Sequence, residues 1–140
     1  MSEEPATPDL EEAVRRSVEA MNRPDFDGVL APYRPDAVWD ASPIGAGVFE
    51  GRDAIRGFFE DWRGPYEDYE QELEEFRDLG NGVTFGVFHQ RARLPGSSRF
   101  VELRYGGFAI WRDGVIERGT AYTDIDEARA AADRLAEERG

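Results

Sequence analysis

The chain contains no cysteine and only one histidine. Disulfides, thiolate metal sites and cysteine nucleophiles are therefore excluded, as is any multi-histidine metal centre. Long apolar runs are missing as well. The longest stretches are a few residues, far short of the ~20 that span a bilayer. The N-terminal run Met1-Ser2-Glu3-Glu4-Pro5 is acidic and has no apolar signal core. These absences lead us to expect a cytoplasmic protein. Positive charge is also scarce, with 17 Lys+Arg against 30 Asp+Glu and a net charge of −13. Such a surface repels nucleic-acid phosphates and anionic lipid, so neither nucleic acid nor membrane is expected as a partner. The densest basic group, Arg91, Arg93, Arg99 and Arg104, lacks the lysines and aromatic platforms of a binding groove. No phosphate loop, dinucleotide fingerprint, zinc-hydrolase helix or Gly-x-Ser-x-Gly elbow occurs, so no cofactor is expected.

What remains is 140 residues without repeats or low-complexity linkers. That is the usual size of one domain, here 1–140, with residues 1–8 expected to be disordered. Thr7, Pro8 and the acids after them read as a helix start. Leu10, Ala13, Val14, Val18 and Met21 then recur at helical spacing. A short second helix is expected from Asp25 to about Ala31, closed by Pro32 and Pro35. Ala37–Asp40 reads as a strand entering a Pro/Gly loop at 42–47, followed by a small strand at 48–50. In the segment 52–63, Ile55, Phe58, Phe59 and Trp62 repeat at three- and four-residue spacing, as in a helix lying over a sheet.

The second half reads as a meander. Strands are expected at 66–79, 83–94, 99–111 and 115–123, joined by Gly80-Asn81-Gly82, Pro95-Gly96-Ser97-Ser98 and Arg112-Asp113-Gly114. A last helix starts near Asp124. Period two places Val83, Phe85, Val87 and His89 on one face, with Thr84, Gly86, Phe88 and Gln90 on the other. Gly106-Gly107 suggests a bulge or bend that would curve the sheet and open a concave face. The expected class is thus α+β, a curved antiparallel or mixed sheet wrapped around N-terminal helices with a central pocket.

Several segments carry a family resemblance: 33–40 (Tyr-Arg-Pro-Asp-Ala-Val-Trp-Asp), 49–55 (Phe-Glu-Gly-Arg-Asp-Ala-Ile), 111–116 (Trp-Arg-Asp-Gly-Val-Ile) and 122–128 (Tyr-Thr-Asp-Ile-Asp-Glu-Ala). With the element order, they resemble the nuclear-transport-factor-2-like cone fold, and within it the SnoaL-like proteins named for a polyketide cyclase. The resemblance runs from about Leu10 to Leu135. It implies a pocket between the concave face and the helices, and a homodimer through the outer sheet face. The fold hosts isomerases, cyclases, epoxide hydrolases, dehydratases and association domains, so it does not choose a reaction.

Two side chains are candidates for proton transfer. His89 is a possible general acid or base if its face is concave, and it falls near the position of the polyketide-cyclase base. Asp40, where strand meets loop, resembles the catalytic aspartate of the steroid isomerases. The isomerase oxyanion donors have no match, since no tyrosine stands near Val18 or Met21 and Gly106-Gly107 replaces the neutral acid. The Asp-Arg-Asp set of the epoxide hydrolases falls on His89, Val87 and Ala121, and all three differ. Trp39, Phe58, Trp62, Phe85, Val87, Arg104 and Tyr122 are expected to form the pocket wall. Glu102 and Arg104 are expected either to pair there or to serve the outer face.

Two functions follow. In the first, Asp40 or His89 is the base of a cofactor-free isomerase, cyclase or lyase acting on a small apolar or aromatic, oxygenated molecule. In the second, the chain is a non-catalytic small-molecule-binding or dimeric association domain.

Overall fold

The computed structural model describes residues 9–140. The disorder expected for residues 1–8, and the cap expected at Thr7 and Pro8, lie outside the described residues. Helix α1 (Leu10–Asn22) is capped by Asp9, whose carboxylate accepts the Glu12 N–H at 3.0 Å. Asp25 does the same for the short α2 (Phe26–Leu30), accepting from the Gly28 N–H at 3.1 Å. Then come β1 (Tyr33–Asp40), a 3-10 turn at Ser42–Ile44, β2 (Val48–Glu50) and α3 (Arg52–Arg63). Strands β3 (Asp68–Gly80), β4 (Val83–Arg93), β5 (Val101–Arg112) and β6 (Val115–Tyr122) precede α4 (Ile125–Arg139). β1 starts earlier than expected, at Tyr33, and takes in Pro35. Its register with β6 slips between Tyr33 and Val38, so the residue without an N–H falls at an irregular stretch of ladder.

The strands form one sheet in the order β2-β1-β6-β5-β4-β3. β1 and β6 run parallel and every other pair is antiparallel. The sheet is mixed and open, with β2 and β3 as edges, and it wraps around the N-terminal helices as the cone fold requires. Two hairpins are set by left-handed pairs, Asn81 and Gly82 (φ 56° and 78°) and Asp113 and Gly114 (φ 54° and 81°). Such primed turns match the twist of the strands they join.

The two faces of the sheet carry different layers. On the inner face Tyr33, Ala37, Trp111 and Ile116 pack with Leu30 and Ile55 of the N-terminal helices. On the outer face Val83, Phe85 and Val87 lie under Ala128, Ala132 and Ala136 of α4. The bulge expected at Gly106-Gly107 is absent, because β4 and β5 stay in register through Val87↔Gly106 and Gly86↔Gly107. Those glycines instead permit close approach. A Cβ on Gly106 would stand 2.8 Å from the Ala128 Cβ, and one on Gly107 would stand 2.8 Å from the Thr120 carbonyl oxygen. The irregularities lie elsewhere, at Leu73/Glu75 and Asp78/Gly80 on β3 and at Ile110/Trp111 between β5 and β6. No helix among the described residues is long and apolar enough to cross a membrane.

Candidate functional site

The inner face and the N-terminal helices enclose a cavity of about 270 Å³. That is just below the roughly 300–1,000 Å³ common for ligand pockets. Val14, Val18 and Met21 of α1 form one wall, and Phe58, Phe59 and Trp62 of α3 form another. The sheet contributes Tyr33 and Trp39 from β1, Gln71 and Phe76 from β3, Phe88 from β4, and Leu103 and Tyr105 from β5. The aromatic rings form a continuous lining. Trp39 lies 5.4 Å from Phe59, Phe58 lies 6.0 Å from Trp62, and Phe88 stacks on Tyr105 at 5.2 Å. Among the described residues no Asp, Glu, His or Arg lines this space.

The polar groups of the wall are mostly matched within the protein, as buried polar atoms must be. Gln90 Oε1 accepts from Trp62 Nε1 at 2.7 Å and from the Tyr69 hydroxyl at 3.0 Å. The Gln71 amide pairs with the Tyr105 hydroxyl. Ser17 donates to the Val29 carbonyl at 2.8 Å, and Thr84 accepts from Trp111 Nε1 at 2.8 Å. One group is left over. Trp39 Nε1 is buried without a hydrogen-bond partner among the described residues. A buried donor left bare costs about 1–3 kcal/mol. Burial also pushes the Tyr33, Tyr69 and Tyr105 hydroxyls far above the ordinary tyrosine range, and Tyr69 and Tyr33 push Tyr105 further. All three stay neutral donors.

The proton-transfer candidates do not lie in this cavity. Asp40 follows Trp39 on β1 and points to the opposite face of the sheet. Its carboxylate accepts from Ser42 N at 3.0 Å, Ser42 Oγ at 2.5 Å and Arg118 Nη2 at 2.9 Å. The Ser42 hydrogen bond leads the effects that hold it below the ordinary aspartate range, with Arg118 assisting. A carboxylate held in this way is a weak base. His89 shares the outer face with Phe85 and Val87, beyond the cover of α4. Its Nε2 lies 3.0 Å from Glu102 and its Nδ1 lies 3.7 Å from Glu72. The structure therefore brings neither residue into the cavity, nor the two of them together.

The expected wall residues divide between the faces. Trp39, Phe58 and Trp62 line the cavity. Phe85 borders it, although its ring packs under α4. Val87, Arg104 and Tyr122 belong to the outer face. Val87 is covered by α4, Arg104 pairs with Glu74 at 2.8 Å, and Tyr122 stacks on Phe108 at 6.1 Å. Glu102 and Arg104 do not pair, because Glu102 takes His89 on the adjacent β4 and Arg104 reaches past β4 to Glu74 on β3. Glu72, Glu74 and His89 present ligand atoms within 4.8 Å of one another, but both carboxylates are exposed. Sequence reasoning passed over Tyr33 and Gln71 as cavity groups. For the orientation of β4 the signal was available in α4, whose Ala128, Ala132 and Ala136 form the small-residue face that covers Val83, Phe85 and Val87.

Comparison with solved structures places the chain among proteins of the same shape. It superposes on an NTF2-like protein of unknown function from Burkholderia pseudomallei with a TM-score of 0.69, at 23 % identity over 88 % of this chain and 96 % of that one. TerC, co-crystallised with polyporic acid, gives 0.69 at 19 % identity over 91 % and 99 %. An LEH-like epoxide hydrolase from M. tuberculosis gives 0.68 at 18 % identity over 93 % of each chain. At these identities the likeness is one of fold. No curated protein sequence matches the chain. Residues 14–119 match the SnoaL-like domain, and the chain belongs to that family.

Proposed function

We propose that the protein binds a small, uncharged, largely apolar molecule in the cone, as a binding domain rather than a proton-transfer enzyme. The observation that carries this reading is a cavity of about 270 Å³ walled by aromatic and aliphatic side chains with no ionised group among the described lining residues. Burying a carboxylate or ammonium there without a partner carries a large desolvation cost. The isomerase, cyclase or lyase alternative needs a base, and Asp40 and His89 lie on the far side of the sheet, already engaged by Ser42, Arg118, Glu72 and Glu102. The co-crystal of TerC with polyporic acid supports ligand binding in this fold.

The test is titration with a neutral fluorescent probe, N-phenyl-1-naphthylamine, against the native protein and the cavity-filling variant Ala109→Phe. Saturable one-to-one binding that the variant abolishes while keeping its native circular dichroism is expected. Asp40→Asn and His89→Gln should leave the affinity unchanged. Binding that survives the filled cavity, or is lost in Asp40→Asn, overturns the reading.

A further inference from the structure

We infer that Gln71 and Tyr105 form the polar seat of the cavity and hold a hydroxyl group of the ligand, an alcohol or phenol oxygen that donates one hydrogen bond and accepts another. This rests on the cavity-binding reading above and adds the group by which the ligand is recognised.

The two side chains meet inside the cone. Gln71 reaches in from β3 and Tyr105 from β5, both line the cavity, and Gln71 Nε2 donates to the Tyr105 oxygen. Each is held from behind. The Asn22 side chain clamps the Gln71 backbone, accepting its N–H at 2.7 Å and donating to its carbonyl at 2.9 Å. The Tyr105 ring stacks on Phe88 at 5.2 Å and meets Trp62 edge-on at 6.5 Å. Their mutual contact uses one donor and one acceptor. The Tyr105 O–H finds no acceptor among the described residues, and Gln71 Oε1 receives no donor there, although Gln71 is only 8 % exposed. Among the described residues only Trp39 Nε1 is both unpartnered and sealed, so Gln71 Oε1 is within reach of a ligand atom.

A hydroxyl seated there closes a ring of hydrogen bonds. Tyr105 donates to the ligand oxygen, the ligand O–H donates to Gln71 Oε1, and Gln71 Nε2 donates to Tyr105. Turning the Gln71 amide over reverses the ring and asks for the same group on the ligand. In a low-dielectric setting each bond of such a ring strengthens the next. A carbonyl satisfies the Tyr105 donor alone. A carboxylate would set its charge against Gln71 Oε1, in a wall with no cation among the described residues. A water in this seat meets the same two groups, but only a ligand hydroxyl brings a carbon frame to cover the rings of Phe88 and Trp62 beside it.

The test compares 9-fluorenol, 9-fluorenone and fluorene, which share one tricyclic frame and carry a hydroxyl, a carbonyl and no oxygen, in equilibrium dialysis against the full chain. Fluorenol is expected to bind about tenfold more tightly than fluorene, with fluorenone between them, the ratio that one to two neutral hydrogen bonds give. Tyr105→Phe and Gln71→Met should each remove most of the fluorenol preference while fluorene still binds, which shows that the cavity is folded. The native ranking needs no variant, and either substitution alone decides the assignment if the other loses fluorene binding. Equal affinities for fluorenol and fluorene, a fluorenone affinity as high as that of fluorenol, or a fluorenol preference untouched in a variant that still binds fluorene overturns the hydroxyl seat and leaves the cavity reading standing. Failure of all three probes and of the naphthylamine to bind overturns the two together.

Discussion

Replacing Gly106 by alanine tests whether α4 is fitted against the sheet as described. The new Cβ would meet the Ala128 Cβ at 2.8 Å, with the Ile125 Cα and a Phe85 ring carbon each at 3.4 Å. Real Cβ atoms do not approach to 2.8 Å, so α4 must lift or β5 must bend. Overpacking of this kind costs about 1–3 kcal/mol. Reduced freedom of the unfolded chain returns roughly 0.4–1 kcal/mol. The net expectation is a loss of about 1–2 kcal/mol. At roughly 0.3 kcal/mol per degree for a chain of this length, Tm should fall by about 3–7 °C. Urea unfolding followed by tryptophan fluorescence measures the loss directly. The partner change Ala128→Gly also destabilises alone, by about 1 kcal/mol from helix propensity. In the double variant the clash is gone, so the two losses should fall short of their sum by at least 0.5 kcal/mol. Additive losses, or a Gly106→Ala protein as stable as the native one, would refute the proposed contact.

Other outcomes follow from single features. Gln90→Leu strands the Trp62 N–H and the Tyr69 hydroxyl together, so it should cost about 1–3 kcal/mol for each donor in urea unfolding, against a much smaller effect for the exposed Gln-for-Glu change at Glu70. Glu75 is held at about 2, below its ordinary 4.5, chiefly by Arg129 and then by Arg77. Its contribution to stability is therefore complete above about pH 5 and is lost as pH falls toward 2. Glu75→Gln should narrow the stability gap to the native protein across that window, and acid unfolding curves of the two will show it. Spectrophotometric titration of the native protein should find Tyr33, Tyr69 and Tyr105 still protonated well above the ordinary tyrosine range, until alkaline unfolding releases them. Fluorene-9-carboxylate should bind at least tenfold more weakly than fluorene, as measured by dialysis, because the cavity wall holds no cation among the described residues.

The elements of this fold are legible where local chemistry decides them. Asn81-Gly82 and Asp113-Gly114 set two hairpins, Gly51 precedes α3, and the Ile55, Phe58, Phe59, Trp62 spacing marks the helix face turned to the core. Period two also divides β4 correctly into its two sets of residues. It does not say which set faces inward, since both contain large apolar side chains. That choice is made by α4, which lies more than thirty residues further along and claims Val83, Phe85 and Val87. Once it does, parity carries His89 to the exterior with them. Asp40 is misread for a similar reason, because its neighbour Trp39 holds the inward position on β1. Tyr33 was hidden by Pro32 and Pro35, which read as the end of a helix rather than the start of an irregular strand.

The extra residue at Glu74 has a consequence for how this chain can change length. Before it, Leu73 faces inward opposite Phe88; after it, Phe76 does so opposite Gly86, with Glu75 opposite Val87. The two halves of β3 are thus out of phase by one position. Deleting Glu74 would restore a regular ladder, with Leu73, Glu75 and Phe76 opposite Phe88, Val87 and Gly86 and Phe76 still turned to the cavity. Removal of Glu74 would also take away the Arg104 partner. One residue can therefore be lost at Glu74 without disturbing the cavity face, whereas a single deletion among residues 69–72 would turn one part of the strand to the opposite side of the sheet.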